Sequence, residues 1–224
     1  MYAIMNAVIN MRYNVVKNAS RIVDTSEYLV KNPNNQKNNW KNLFGNNNPI
    51  CLELGMGRGS FIIEMAKKHP NINYIGLELD INQTATATKN AEKDKLKNLL
   101  MICADASEII NMFGKEIDTI YLTFSEPWPK EKDAKRRFTS VNYLKLYDRI
   151  FKKNKHIIMK TDNKILFASA LESLSDYWYT FKTVSLDLHN DERRIEDEEV
   201  VTDFERQYIK EKRPIYYVDA IFKD

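Results

Sequence analysis

The chain has 224 residues, 43% hydrophobic and 29% charged, with a formal net charge of +3. That length and balance suit one α/β domain, with an appendage at most, and exclude a low-complexity or fibrous chain. The charge is too small to imply nucleic acid by itself. No apolar run approaches a membrane span and no signal peptide is evident, so a cytoplasmic protein without a membrane partner is expected.

The first 48 residues read as an arm. Arg12, Lys17 and Arg21 are its scattered cations, and nine of the seventeen residues from Asn32 to Asn48 are Asn. Such polar tracts bury little, so loops or a partly flexible segment are expected, with Trp40 and Phe44 as candidate anchors. From residue 49 to 224 the pattern is that of a folded domain. Apolar runs at Ile50–Leu54, Ile72–Leu79, Leu99–Ala104, Thr119–Phe124 and His156–Lys160 read as strands. Amphipathic stretches near Ser60–Lys68, Asn82–Asp94, Ala106–Phe113, Val141–Ile150 and Asn163–Leu174 read as helices. Strict alternation implies a mainly parallel sheet with right-handed crossovers. The end differs, because Phe181–Leu188 and Ile215–Phe222 read as strands flanking a helix at Thr202–Glu211.

Cys51 and Cys103 each fall inside an expected strand and read as buried thiols rather than a disulfide. His69, His156 and His189 lack the spacing of a metal site, and no metal is expected.

After the first strand comes Glu53-Leu54-Gly55-Met56-Gly57-Arg58-Gly59, which opens the first helix of the domain. Glycines there let the backbone turn sharply and approach a ligand. Ser60 follows the third glycine, so the dinucleotide fingerprint is not met, and the charge of Glu53 would repel a pyrophosphate. A ligand with a cationic centre and no phosphate fits better, and S-adenosylmethionine is one. Glu78, at the end of the second strand, is placed either to grip ribose hydroxyls or as a solvated strand-end acid. Asp105, after the third strand, either accepts from an adenine amine or caps the next helix. Three strand-end acids and a glycine loop, in that order, point to a methyltransferase fold that uses this cofactor.

The fourth strand leads into Phe124-Ser125-Glu126-Pro127-Trp128-Pro129-Lys130, followed by Lys132, Lys135, Arg136 and Arg137. A carboxylate is thus delivered to the sheet end on a proline-fixed backbone, with cations directly after it. Trp128 is placed to stack on a base or to brace the loop by packing. Asp162 ends the fifth strand, and Thr202-x-x-Glu205 has the form of a capping box.

These segments resemble the bacterial tRNA (guanine-N7)-methyltransferases from about Met11 to the C-terminus. The resemblance rests on Pro33-x-x-x-Lys37-x-x-Trp40-x-x-x-Phe44-Gly45-Asn46, the glycine loop, Ile75-Gly76-Leu77-Glu78, Phe124 to Arg137, Thr161-Asp162-Asn163 and Thr202-Asp203-Phe204-Glu205. It implies a Rossmann-like class I fold, with a mostly parallel seven-stranded sheet and an antiparallel C-terminal strand. The implied activity is methyl transfer from S-adenosylmethionine to N7 of guanosine 46 in the variable loop of tRNA, by a monomer or homodimer. Carried over position by position, Glu53, Gly55, Gly57, Glu78, Asp105 and Glu126 would contact the cofactor, with Glu126 also the catalytic residue. Lys130, Asp162, Thr202, Asp203, Phe204 and Glu205 would contact the target nucleoside, and Lys132, Lys135, Arg136 and Arg137 the RNA. Two departures stand out: Glu126 occupies a position where the family carries Asp, and Asp133 one that is usually basic or His.

Overall fold

The computed structural model describes residues 15–193 and 200–222, apart from the side chain of Asp203. The apolar runs become seven strands of one sheet: β1 (Ile50–Leu54), β2 (Asn73–Glu78), β3 (Leu99–Cys103), β4 (Ile117–Thr123), β5 (Phe151–Thr161), β6 (Thr180–Ser185) and β7 (Tyr216–Phe222). Their order is β3-β2-β1-β4-β5-β7-β6. Strands β1 to β5 are parallel, and β7 runs antiparallel to both of its neighbours, as the sequence led one to expect. The order reverses between β1 and β4, so the loops that follow these two strands open the crevice where open α/β sheets bind ligands.

Eight α-helices lie among the described residues: α1 (Ala19–Thr25), α2 (Trp40–Phe44), α3 (Ser60–Lys68), α4 (Ile81–Ala91), α5 (Ile109–Met112), α6 (Val141–Ile150), α7 (Lys164–Asp176) and α8 (Asp203–Lys210). The expected helix near Ala106–Phe113 is a 3₁₀ turn followed by the single turn of α5. Asp105 caps that turn, and Phe113 already has extended backbone.

Alternation along the strands separates two apolar layers. Ile50, Leu52, Leu54, Ile120, Leu122, Ile157 and Met159 pack on one face with residues of α5, α6 and α7. The other face carries Cys51, Tyr74, Met101, Tyr121 and Ile158, covered by Phe61, Ile62 and Met65 of α3. The Asn-rich segment is tied to the first layer. Trp40 is fully buried, its indole N–H donates to the Met112 carbonyl at 2.9 Å, and its ring stacks on Phe113. The Glu116 carboxylate accepts backbone N–H bonds from Asn38 and Trp40. One aromatic and one acid thus fix the middle of this Asn-rich tract to the domain. The leader and Arg12 lie outside the described residues.

Candidate active site

Carboxylates gather at the C-terminal ends of β1, β2 and β3, and local chemistry sets each of them. Gly55, Gly57 and Gly59 all have positive φ, at 74°, 55° and 76°, a region costly for side chains bearing a Cβ. The Gly55 and Met56 N–H groups donate to the Leu77 carbonyl at 2.8 and 3.1 Å, which ties the loop to β2. A Cβ on Gly55 would lie 3.3 Å from the Phe138 ring, so the loop also packs under the segment that follows β4.

Glu78 anchors the same loop. Its Oε2 accepts from Gly57 N at 3.0 Å, and its Oε1 accepts from the backbone N–H groups of Leu79 and Asp80, both at 2.9 Å. Three of about four acceptor positions on the carboxylate are thus filled. The side chain is fixed in orientation and can still accept from a hydroxyl. Asp105 Oδ1 accepts from Ser107 N at 2.8 Å, so the capping role is present, and the carboxylate stays exposed to a ligand.

Glu53 differs from both. It is 1% exposed; one oxygen accepts from the Thr123 hydroxyl, while Oε2 is buried with no hydrogen-bond partner among the described residues. Burial, with the charge of Glu78 adding to it, pushes its carboxyl up to about 8. An orphaned carboxylate oxygen at the foot of a glycine loop suits a cationic donor, and the charge on such a donor would bring Glu53 back to its ionised form.

The loop after β4 is held by different means. Phe124 and Trp128 have φ of 49° and 41°, positions that bulky residues rarely take and that cluster at functional sites. Between them Glu126 is exposed on the rim, with Lys130 nearby in sequence and also exposed. Lys132, Lys135 and Arg136 are exposed on the 3₁₀ turn Glu131–Arg136, and the Arg136 guanidinium lies 4.7 Å from the Trp128 ring centre. Arg137, expected with them, faces inward and is 8% exposed. Its Nε donates to the Pro127 carbonyl at 3.1 Å, Nη2 to the Trp128 carbonyl at 3.0 Å, and Nη1 to Ser169 Oγ on α7 at 2.8 Å.

The remaining residues line up beside β5. Asp162 does not cap α7, since Asn163 does so through Leu166 N. Asp162 instead pairs with Arg213, whose guanidinium lies 4.1 Å from the Tyr208 ring centre. Tyr208 in turn meets Phe124 at 5.9 Å. Thr202 and Glu205 close the capping box of α8, with bonds of 3.1 and 3.0 Å. Glu205 is fully buried between His189 Nε2 at 3.0 Å and Lys160 Nζ at 3.4 Å. Burial alone would raise its carboxyl; the bond to His189 and the charge of Lys160 keep it below the ordinary range. Phe204 is half-buried beside them, packing with the layer that holds Tyr208, and Asp203's side chain falls outside the described residues.

Sequence reasoning missed Thr123, Lys160 and His189. Register places Thr123 beside Lys160 and Lys160 beside Tyr217, so these polar groups form a row on one face that links Glu53 to Glu205. The available signal was a lysine directly after the apolar run Ile157–Met159 of β5. Among the described residues there is no group of three metal-ligating side chains and no helix long and apolar enough to cross a membrane.

Residues 47–218 match the family model described as "Putative methyltransferase". The tRNA (guanine-N(7)-)-methyltransferase of Bacillus cytotoxicus is 40% identical over 91% of this chain and 93% of its own length. The protein of that name from Streptococcus agalactiae is 38% identical over 95% and 100%, and that from Enterococcus faecalis 41% over 88% and 91%. Among solved structures, the 16S rRNA methyltransferase KamB superposes with a TM-score of 0.61 at 12% identity, covering 83% of this chain and 93% of that one. An antibiotic-related methyltransferase gives 0.60 at 18% identity, over 82% and 93%. At these identities the likeness is one of fold.

Proposed function

We propose that this chain, which belongs to the tRNA (guanine-N7-)-methyltransferase family, transfers a methyl group from S-adenosylmethionine to N7 of guanosine 46 in the tRNA variable loop, in the cytoplasm. The donor side rests on one observation above the others: the buried, unpartnered oxygen of Glu53 beneath three left-handed glycines. The acceptor side is supported by the name shared by relatives that match nearly the whole chain.

When bound, S-adenosylmethionine supplies an electrophilic methyl on a cationic sulfur. Glu53 offers a carboxylate to the cationic end, Gly55 and Gly57 allow close backbone approach, Glu78 accepts from ribose hydroxyls and Asp105 from the adenine amine. Guanine N7 bears a lone pair and no proton, so no general base is required. Rate enhancement comes from alignment and from charge: in-line approach at about 3–3.5 Å, with an acid beside the purine as it becomes cationic. Glu126 is that acid. It also accepts from guanine's N1–H and amino group, which adenine does not match. Lys130, Asp162 and Phe204 border the acceptor, with Thr202, Asp203 and Glu205 setting the helix start behind them. Lys132, Lys135 and Arg136 meet phosphates, which gives affinity and salt dependence rather than sequence choice.

The test is direct. Purified protein is incubated with unmodified tRNA and methyl-labelled S-adenosylmethionine, and the product is mapped by nuclease digestion. Label at N7 of guanosine 46 is expected; label confined to another nucleotide, to protein or to a small molecule rejects the assignment.

A further inference from the structure

Arg137 closes the cationic segment, yet it is the one member of that segment whose guanidinium is buried. Its three hydrogen bonds have a common theme. Two go to the consecutive carbonyls of Pro127 and Trp128, directly after Glu126, and the third crosses to Ser169 in the middle of α7. A guanidinium is suited to this, because its planar fork of five donors meets several acceptors at fixed angles. The loop it holds needs such a restraint. Phe124 and Trp128, both left-handed, bracket Glu126, and such strained backbone persists only where the surroundings over-determine it. The next residue, Phe138, lies under Gly55 of the cofactor loop, and its carbonyl accepts from the Tyr147 hydroxyl at 2.8 Å. Consecutive side chains therefore hold the two loops of the crevice: Arg137 the acid-bearing one and Phe138 the glycine one.

We propose that Arg137 is a positioning residue, locking Glu126 and Trp128 to α7 through the Pro127 and Trp128 carbonyls and Ser169, and that it contacts no tRNA phosphate. This rests on the reading that the Glu126 loop receives the acceptor base. It gives the basic segment two functions divided by direction: Lys132, Lys135 and Arg136 point outward to bind, and Arg137 points inward to align.

Arg137→Lys separates the alternatives, because lysine keeps the charge that a phosphate needs and loses the fork that the two carbonyls need. In the full-length enzyme, kcat is expected to fall about 100-fold, as for roughly 1 Å of misplacement. KM for tRNA and the salt slope of tRNA binding should stay near wild type. Ser169→Ala, a gentler change, should lower kcat roughly threefold to tenfold, the worth of one hydrogen bond, again with the salt slope unchanged. Loop order is read without turnover, from the fluorescence anisotropy of Trp128 in a Trp178→Phe background where Trp40 stays buried; Arg137→Lys should lower it. Retention of kcat by Arg137→Lys, or a salt slope reduced by about 0.7–0.9 in Arg137→Gln, makes Arg137 a phosphate ligand and overturns the proposal. If wild type transfers no methyl to tRNA, the functional reading fails while the anisotropy and the salt slope still decide the role of Arg137.

Discussion

The two halves of the sheet build their parts of the crevice in opposite ways. On the side of β1, β2 and β3, the acids are fixed by neighbours close in sequence or on the adjacent strand. Glu78 accepts from Leu79 and Asp80, Asp105 accepts from Ser107, and the glycine loop donates to the Leu77 carbonyl of β2. On the side of β4, β5 and β7, local caps are joined by restraints between distant segments. Arg137 reaches Ser169, Asp162 meets Arg213, Lys160 meets Glu205, and Phe124 meets Tyr208. The first half is a property of short motifs. The second exists only when the chain has folded, and so it can be altered from far away.

The largest effect should come from breaking a long-range restraint. Lys160→Met leaves Glu205 buried without its cation and is expected to cost about 3–5 kcal/mol of folding free energy, measured by urea unfolding. His189 softens the loss by keeping one bond to Glu205. A value near zero would mean that the pair is not a pillar of this half.

A smaller effect tests the outer surface of the same half. Lys135→Ala combined with Arg136→Ala should reduce the log–log salt slope of tRNA binding by about 1.4–1.8, two contacts' worth, and similarly for all tRNA species. Removing Arg136 also exposes the Trp128 ring it covers. An unchanged slope would move the RNA surface elsewhere.

A last test probes the local half through pH. With its folded carboxyl near 8 against an ordinary value of 4.5, Glu53 keeps a proton in the folded protein that the unfolded chain gives up. Stability from this group is therefore complete below about pH 4.5 and is lost as pH rises through 8. Glu53→Gln, always neutral, should flatten the decline in melting temperature between pH 6 and 9 in ligand-free protein. It should also remove the rise in S-adenosylhomocysteine affinity expected over the same range, as calorimetry would detect. Parallel pH curves for variant and wild type would place the titration on another group.

Most of the sheet and the whole glycine loop were legible in the residues, since strand runs, turn glycines and strand-end acids act within a few positions of one another. The Asn-rich tract was legible only in part: its composition speaks for loops, whereas the burial of Trp40 depends on Met112 and Phe113, more than seventy residues away in sequence. Thr202-x-x-Glu205 was readable as a capping box, but not its enclosure by Lys160 and His189.

What the sequence determined alone is the order of elements, the parallel sheet and the row of acids at its rim, because hydrophobic period and turn chemistry are local. The tertiary structure decided which of those charges face a ligand and which face the protein. Direction was the missing quantity. In Lys135-Arg136-Arg137 three adjacent cations read alike, and only the fold, by bringing Ser169 of α7 and the Pro127 and Trp128 carbonyls around one guanidinium, turns the last of them inward, where a fork of donors finds fixed acceptors.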